Sequence, residues 1–218
     1  SFHNEQWCCL DTHSKMNSVS KETLLKVLNL EIDETNKYLK EASHIIITLG
    51  TSWVYRYVAL DKIVANCQKL PQKQFLKELL SVEQVSESLE AIVSLVKSIN
   101  PKVNFIFTVS PVRHIKDGFV ENTLSKSHLV AAIHQIVEPR HNNYYFTSYE
   151  IMMDELRDYR FYNADMIHPN QVAIDYIWEK FKNVWLSDAT LKILETVASI
   201  QAKKAHRPFN PTSEAHQE

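Results

Sequence analysis

Glycine, cysteine and long apolar runs are scarce in this sequence. Only 2 of its 218 residues are glycine, although average usage would give roughly fifteen. Three cysteines, two of them adjacent as Cys8 and Cys9, do not make a disulfide framework, and they favour a reducing compartment such as the cytoplasm. No apolar run approaches the roughly 18 residues of a membrane span. The sequence therefore predicts neither a disulfide-stapled secreted domain nor a membrane helix.

Charge of one sign is also lacking. The 24 Lys and Arg residues and 26 Asp and Glu residues are interspersed and give a formal net charge of −2, so neither nucleic acid nor an anionic membrane is indicated as a partner. The lysines between Lys62 and Lys77 are expected to form a solvated face. An apolar fraction of 44% is sufficient for a sizeable core. We expect one domain over 1–204 and a disordered tail over 205–218.

Three short apolar runs predict buried strands. They are Ile45–Leu49, Val103–Val109 and Tyr144–Phe146, and helical patterns separate them. Continuous apolar strands alternating with helices are typical of a mainly parallel sheet covered on both faces, which is an α/β fold. The helices are expected over 20–42, from a capping box at 81–84 to residue 99, and over 123–137, 149–158, 169–186 and 188–204.

Turn and polar residues follow the first two predicted strands. Gly50, Thr51 and Ser52 follow the first, and Arg113 and His114 come shortly after the second. Ligands of open α/β sheets bind outside the carboxyl ends of the strands. Gly50 is one of only two glycines in the chain, and its place at a strand end indicates that the backbone itself has a role in the site. The simpler interpretation is that this glycine allows a tight turn.

Residues 165–169 read Asp-Met-Ile-His-Pro and precede a predicted helix. A serine hydrolase needs an imidazole that faces the nucleophile with one nitrogen while a carboxylate holds the other. Spacing of three lets one segment supply both groups, as Asp165 and His168. Pro169 is expected to be the first residue of the helix, so that the helix dipole disfavours a charged His168. The motif predicts an acid–base pair.

Five segments carry a resemblance to a known family: 7–14 (WCCLDTHS), 46–55 (IITLGTSWVY), 107–114 (FTVSPVRH), 122–127 (NTLSKS) and 149–181. Together they resemble the GSCFA family, within the SGNH or GDSL hydrolase superfamily. The resemblance implies a three-layer α/β/α sandwich, flavodoxin-like in class, whose N-terminal strand or strands are missing here. The sequence GSCFA itself does not occur, so the serine nucleophile and a missing N-terminal segment would lie upstream of Ser1, and this fragment would be inactive alone.

The resemblance also implies an activity and a set of site residues. The activity would be ester hydrolysis or acyl transfer on small acyl esters, such as acetylated carbohydrate in a bacterium. Asp165 and His168 would be the acid and the base. Ser52 stands where the superfamily has an oxyanion-hole asparagine. The hole would use Gly50, Thr51 and Ser52, and the substrate cleft would include His13, Arg113, His114 and Tyr162.

Three alternatives stay open. A non-catalytic α/β module would bind a glycan or a protein partner in the same cleft. Ser52 would be the nucleophile in a second alternative, although the bulky Trp53 beside it is unlike a nucleophile elbow. A zinc-dependent hydrolase would use the His and Cys residues near the N-terminus, whose spacing fits no C-x2-C or H-x3-H pattern. No metal and no cofactor is expected.

Overall fold

A computed structural model describes residues 1–205, and the chain divides into a compact unit over 1–170 and a second over 171–218. Each unit is described by itself. The tail expected over 205–218 lies, apart from Ala205, outside the described residues. No helix within residues 1–205 is long and apolar enough to cross a membrane.

The first unit begins with a short hairpin and then mixes strands and helices. A π-helical turn over Ile151–Leu156 follows its last α-helical turn. The elements are β1 (Phe2–His3), β2 (Gln6–Trp7), α1 (Lys21–Glu41), β3 (His44–Leu49), β4 (Trp53–Tyr57), β5 (Lys62–Val64), β6 (Phe75–Leu79), α2 (Val82–Ile99), β7 (Asn104–Val109), α3 (Phe119–Ile136), β8 (Asn143–Phe146) and α4 (Ser148–Glu150).

A parallel sheet in the order β3-β7-β8 forms the centre of this unit. All three predicted strands are present, and the α/β class with a parallel sheet is confirmed. Phe105 and Phe107 of β7 are fully buried and pack with Leu89 of α2 and Ile133 of α3. Alternate residues of a strand point to one face, so one face of β7 supplies the core between the sheet and these two helices.

The capping box at the start of α2 is confirmed. The Ser81 side chain accepts a hydrogen bond from the Gln84 amide at 3.2 Å, and the Gln84 side chain accepts one from the Ser81 amide at 2.9 Å. At the other end of α2, the Asn100 side-chain amide donates to the Leu39 and Ala42 carbonyls, both at 2.8 Å. Asn100 therefore caps the C-terminus of α2 and also binds carbonyl groups at the C-terminal end of α1.

An antiparallel sheet in the order β5-β4-β6 was not predicted. Strand β5 and the start of β6 lie in the lysine-rich segment over 62–77, whose four lysines are all exposed, as expected for a solvated face. The Lys77 ammonium lies 5.0 Å from the centre of the Trp53 ring and forms an ion pair with Asp117. Arg56 pairs with Glu78 at 2.8 Å across β4 and β6. Lys77 and Arg56 therefore make these contacts from strands of the sheet.

Two predicted helices differ from the structure. The helix expected over 149–158 is a single α-helical turn followed by the π-helical turn, and Arg157 ends it in the left-handed region with φ of 34°. In the second unit, α5 (Gln171–Trp185) begins two residues after Pro169, which instead forms a bridge with Tyr162. Pro169 is therefore not the first helical residue. Helix α6 (Asp188–Ala205) follows α5.

Candidate active site

Lys126 joins the carboxyl ends of β3 and β7. Its ammonium donates to the Gly50 carbonyl and to the Ser110 carbonyl, both at 2.6 Å, and the side chain is only 2% exposed. Burial disfavours the charged form and lowers the pKa of Lys126 to about 8. Sequence reasoning placed Lys126 in the first turn of a helix and gave it no role, whereas α3 begins seven residues earlier, at Phe119. The position of Lys126 three and seven residues before the buried Leu129 and Ile133 was the available signal, because a lysine in an apolar helical stripe is rare.

Ser52 is turned into the protein and bonded to Ser125 of α3. The Ser52 amide donates to the Ser125 hydroxyl at 2.8 Å, and the Ser52 hydroxyl donates to the Ser125 carbonyl at 3.2 Å. The Thr51 hydroxyl lies 2.9 Å from the Ser125 hydroxyl. Ser52 is 1% exposed, so both of its donors are used inside the fold.

The His114 ring lies against Gly50. A Cβ atom added to Gly50 would lie 3.2 Å from Nε2 of His114, so any larger residue would press on the ring. Gly50 does not have positive φ, and close approach rather than a tight turn explains this glycine. Burial and the positive charge of Lys126 lower the pKa of His114, and the charge of His168 acts in the same direction.

Asp165 and His168 form the predicted pair. Nδ1 of His168 lies 2.7 Å from Oδ2 of Asp165, while Oδ1 accepts the amides of Ile167 at 2.8 Å and His168 at 3.0 Å. The bonds from the His168 amide, the His168 ring and the Ile167 amide lower the pKa of Asp165 to about 2. The carboxylate is ionised at neutral pH and holds one ring nitrogen, and the His168 side chain is 57% exposed. Its Nε2 atom is hydrogen-bonded to no group among residues 1–205.

Arg113 connects the loop after β7 to the same pair. Its amide donates to the Ile167 carbonyl at 3.1 Å, and its Nη1 donates to the Met166 carbonyl at 3.1 Å. The guanidinium also lies 5.7 Å from the centre of the Tyr162 ring. The structure thus brings Arg113 and Tyr162 to the Asp165–His168 loop, while the described contacts of His114 are with Gly50 and Asn122. It records no contact of His13 with them, and Nδ1 of His13 accepts the Lys15 amide at 3.1 Å.

Within residues 1–205, no three or more His, Cys, Asp or Glu side chains are arranged so that they could hold a metal ion. Cys8, Cys9 and Cys67 are free cysteines.

The family model described as GSCFA family matches residues 1–181. No curated protein and no solved structure matches the chain.

Proposed function

The chain belongs to the GSCFA family, and from this premise we propose that it carries the acid–base pair of a serine esterase or O-acyltransferase of the SGNH or GDSL type. The substrate would be a small acyl ester, such as acetylated carbohydrate. The observation that carries the proposal is the Asp165–His168 pair, with its 2.7 Å bond to Nδ1. An ionised carboxylate on one ring nitrogen and an exposed second nitrogen are the arrangement that general-base catalysis by histidine requires.

The proposed reaction uses this pair twice. A serine hydroxyl attacks the acyl carbon and gives its proton to Nε2 of His168, while Asp165 stabilises the imidazolium. The tetrahedral intermediate then expels the alcohol, which takes the proton from His168. Water or a second alcohol, activated by the same nitrogen, releases the acyl group from the serine.

The oxyanion would be stabilised by the backbone after β3. Lys126 binds the Gly50 carbonyl, and the C=O and N–H of a trans peptide point in opposite directions. The Thr51 amide therefore points away from the buried lysine, and within residues 1–205 neither it nor the Gly50 amide has a hydrogen-bond partner. We propose that these two amides form the oxyanion hole. Ser52, whose donors bond to Ser125, would act by fixing this loop.

The nucleophile is proposed to lie upstream of Ser1 in the complete protein. This is supported by His168, whose Nε2 has no hydroxyl partner among residues 1–205. Ser52 is a poor alternative because its hydroxyl is buried and bonded. A second function is also supported, because no hydroxyl among residues 1–205 is bonded to His168 as a nucleophile would be. In this second function the cleft beside Arg113 binds a glycan or a protein without catalysis.

A fluorophosphonate probe, which labels activated serines, tests the proposal. The complete protein, extended upstream, and the present chain are treated in parallel, and the labelled residue is mapped. We expect labelling only in the longer protein, at a serine upstream of Ser1. Replacing His168 by Ala should reduce labelling and turnover by about 10³-fold or more, whereas replacing the exposed His141 by Ala should change neither.

The other outcomes are equally specific. Labelling of Ser52 would place the nucleophile in the present chain and refute an upstream serine. No labelling of either protein would refute the esterase and favour the binding module. Full activity after His168→Ala would refute the catalytic role of the Asp165–His168 pair.

A further inference from the structure

A cavity of about 190 Å³ lies beside the Asp165–His168 loop. It is separate from the oxyanion-hole amides, and the chemistry proposed above does not use it. Two cations, two thioethers and two phenols are its main lining groups. They are Arg113, Arg157, Met152, Met153, Tyr159 and Tyr162.

Arg113 brings a positive charge to this cavity, and no carboxylate within residues 1–205 forms an ion pair with it. Its guanidinium carbon lies 5.6 Å from the centre of the Phe119 ring, 5.8 Å from that of Tyr159 and 5.7 Å from that of Tyr162. Aromatic faces hold a cation without cancelling its charge. A guanidinium has five N–H donors, and within residues 1–205 only the bond to the Met166 carbonyl uses one of them. Arg113 is therefore held in place with donors free for a ligand.

The remaining charges of the cavity favour a monoanion. Arg157 adds a second cation, and no carboxylate among residues 1–205 pairs with it. Asp158 also lines the cavity, but both of its oxygens bond to Arg160, at 2.8 and 2.9 Å. A nearby carboxylate would repel a doubly charged phosphate more than a singly charged carboxylate. A planar carboxylate also matches the fork of an arginine.

The backbone and the size of the cavity support a built site. Arg157 adopts φ of 34°, which is uncommon for a residue other than glycine, and it follows the π-helical turn over Ile151–Leu156. Both features are concentrated at functional sites. Pockets that enclose whole drug-sized ligands usually exceed about 300 Å³. This cavity therefore suits one ring-sized part of a larger molecule, packed against Met152 and Tyr162.

We infer that this cavity, with Arg113 as its anion-binding group, binds the carboxylate of a ring-sized group such as a uronic acid unit of a carbohydrate. The inference deepens the proposed function and rests on it, because the bound molecule is a substrate only if the protein is an esterase or acyltransferase. It makes the preferred substrate an acylated acidic carbohydrate. Because Arg113 bonds to the backbone between Asp165 and His168, the anionic unit would be bound next to the catalytic base.

Direct binding to the present chain tests the inference without any turnover. Methyl glucuronide, methyl glucoside and glucose 6-phosphate are titrated, and binding is followed by nuclear magnetic resonance, including the side-chain signal of Arg113. We expect the glucuronide to bind about tenfold or more tightly than the glucoside, since charge-assisted bonds to arginine are the difference. Arg113→Gln should remove that preference, and Arg140→Gln, which removes an exposed arginine elsewhere, should keep it.

Two further variants separate this inference from the proposed function. Arg113→Lys keeps the charge without the fork, and we expect it to remain folded and to lose most of the preference. His168→Ala should bind the glucuronide as the unchanged protein does, so loss of catalysis and loss of binding are distinguishable. Equal binding of glucuronide and glucoside would overturn the inference. So would tighter binding of the sugar phosphate, or an unchanged preference in Arg113→Gln.

Discussion

At the scale of single residues, Lys126 combines a structural and an electrostatic role. It donates to two strand-end carbonyls from a buried position, and its pKa is lowered from 10.5 to about 8. Between these two pH values the unfolded chain holds a proton on this lysine that the folded chain has lost. The free energy of unfolding should therefore rise with pH in this window, by up to about 1.4 kcal/mol per pH unit.

Lys126→Met provides the matched comparison, because it removes the titrating group and keeps an unbranched side chain. Urea unfolding of both proteins at pH 7, 8, 9 and 10 gives the difference between their free energies of unfolding. The contributions of the other titrating groups cancel in this difference. We expect the unchanged protein to gain stability relative to Lys126→Met above pH 8. Parallel pH dependences of the two proteins would show that Lys126 keeps its ordinary pKa.

Ser125 supports a second prediction for a single residue. Its hydroxyl accepts the buried Ser52 amide and lies 2.9 Å from the Thr51 hydroxyl. Ser125→Ala would leave that amide without a partner, which costs about 1–3 kcal/mol. Ser127→Ala, two residues away and exposed, should cost about 0.5 kcal/mol or less. Chemical denaturation of both variants measures the difference, and equal losses would contradict a role for Ser125 in holding the loop.

The Asp165–His168 pair was accessible to sequence reasoning because both residues and the turn between them are local. The bond of Ser52 to Ser125 was not, since 73 residues separate these two serines. The same holds for the contact between Lys126 and Gly50. A short polar motif can be read from the sequence, whereas a buried polar contact between distant segments depends on the tertiary fold.

At the scale of elements, Asn100 holds the end of α1. The last carbonyls of a helix have no partner within the helix, and Asn100 donates to those of Leu39 and Ala42. Leu24 is the one buried residue of α1, and at this end Leu39 and Ala42 are only partly buried against the core, so the bonds from Asn100 add to limited packing. We expect Asn100→Ala to increase amide hydrogen exchange in the last turn of α1 about tenfold or more.

The exposed Lys102→Ala is the control for this substitution, and its exchange in α1 should not change. The middle of α2 should also exchange at the unchanged rate in Asn100→Ala, because its packing on β7 is kept. Unchanged exchange in α1, or faster exchange throughout the protein, would show that Asn100 does not specifically stabilise the C-terminal end of this helix.

Strong local patterns made some elements predictable and others not. Strands β3 and β7 are apolar runs with clear ends, and α2 has both a capping box and a periodic apolar stripe. Strands β4, β5 and β6 carry lysine and arginine between their apolar residues, and no glycine marks their turns. Their pairing comes from contacts across the sheet, which a single sequence does not show. The π-helical turn likewise has no simple sequence signal.

At the scale of the whole molecule, strand β3 leaves one side of the parallel sheet uncovered. The Ser110 amide bonds to the Leu49 carbonyl and the Asn104 amide to the Ser43 carbonyl. These bonds recur at every second residue, so the backbone groups of Ile46 point to the opposite edge. No strand within residues 1–205 pairs with that edge. Ile46 is also 53% exposed, and an exposed apolar edge strand favours association between chains.

We therefore expect the isolated chain to associate reversibly as its concentration rises. Association should be strongest near pH 6.5, where the net charge is close to zero, and weaker at pH 8.5, where like charges repel. Ile46→Lys places a charge on the edge and should suppress association. Val19→Lys adds the same charge at an exposed position outside the strands and should reduce association less. Sedimentation velocity over a concentration series measures both variants, and equal suppression would mean that net charge, rather than the β3 edge, controls association.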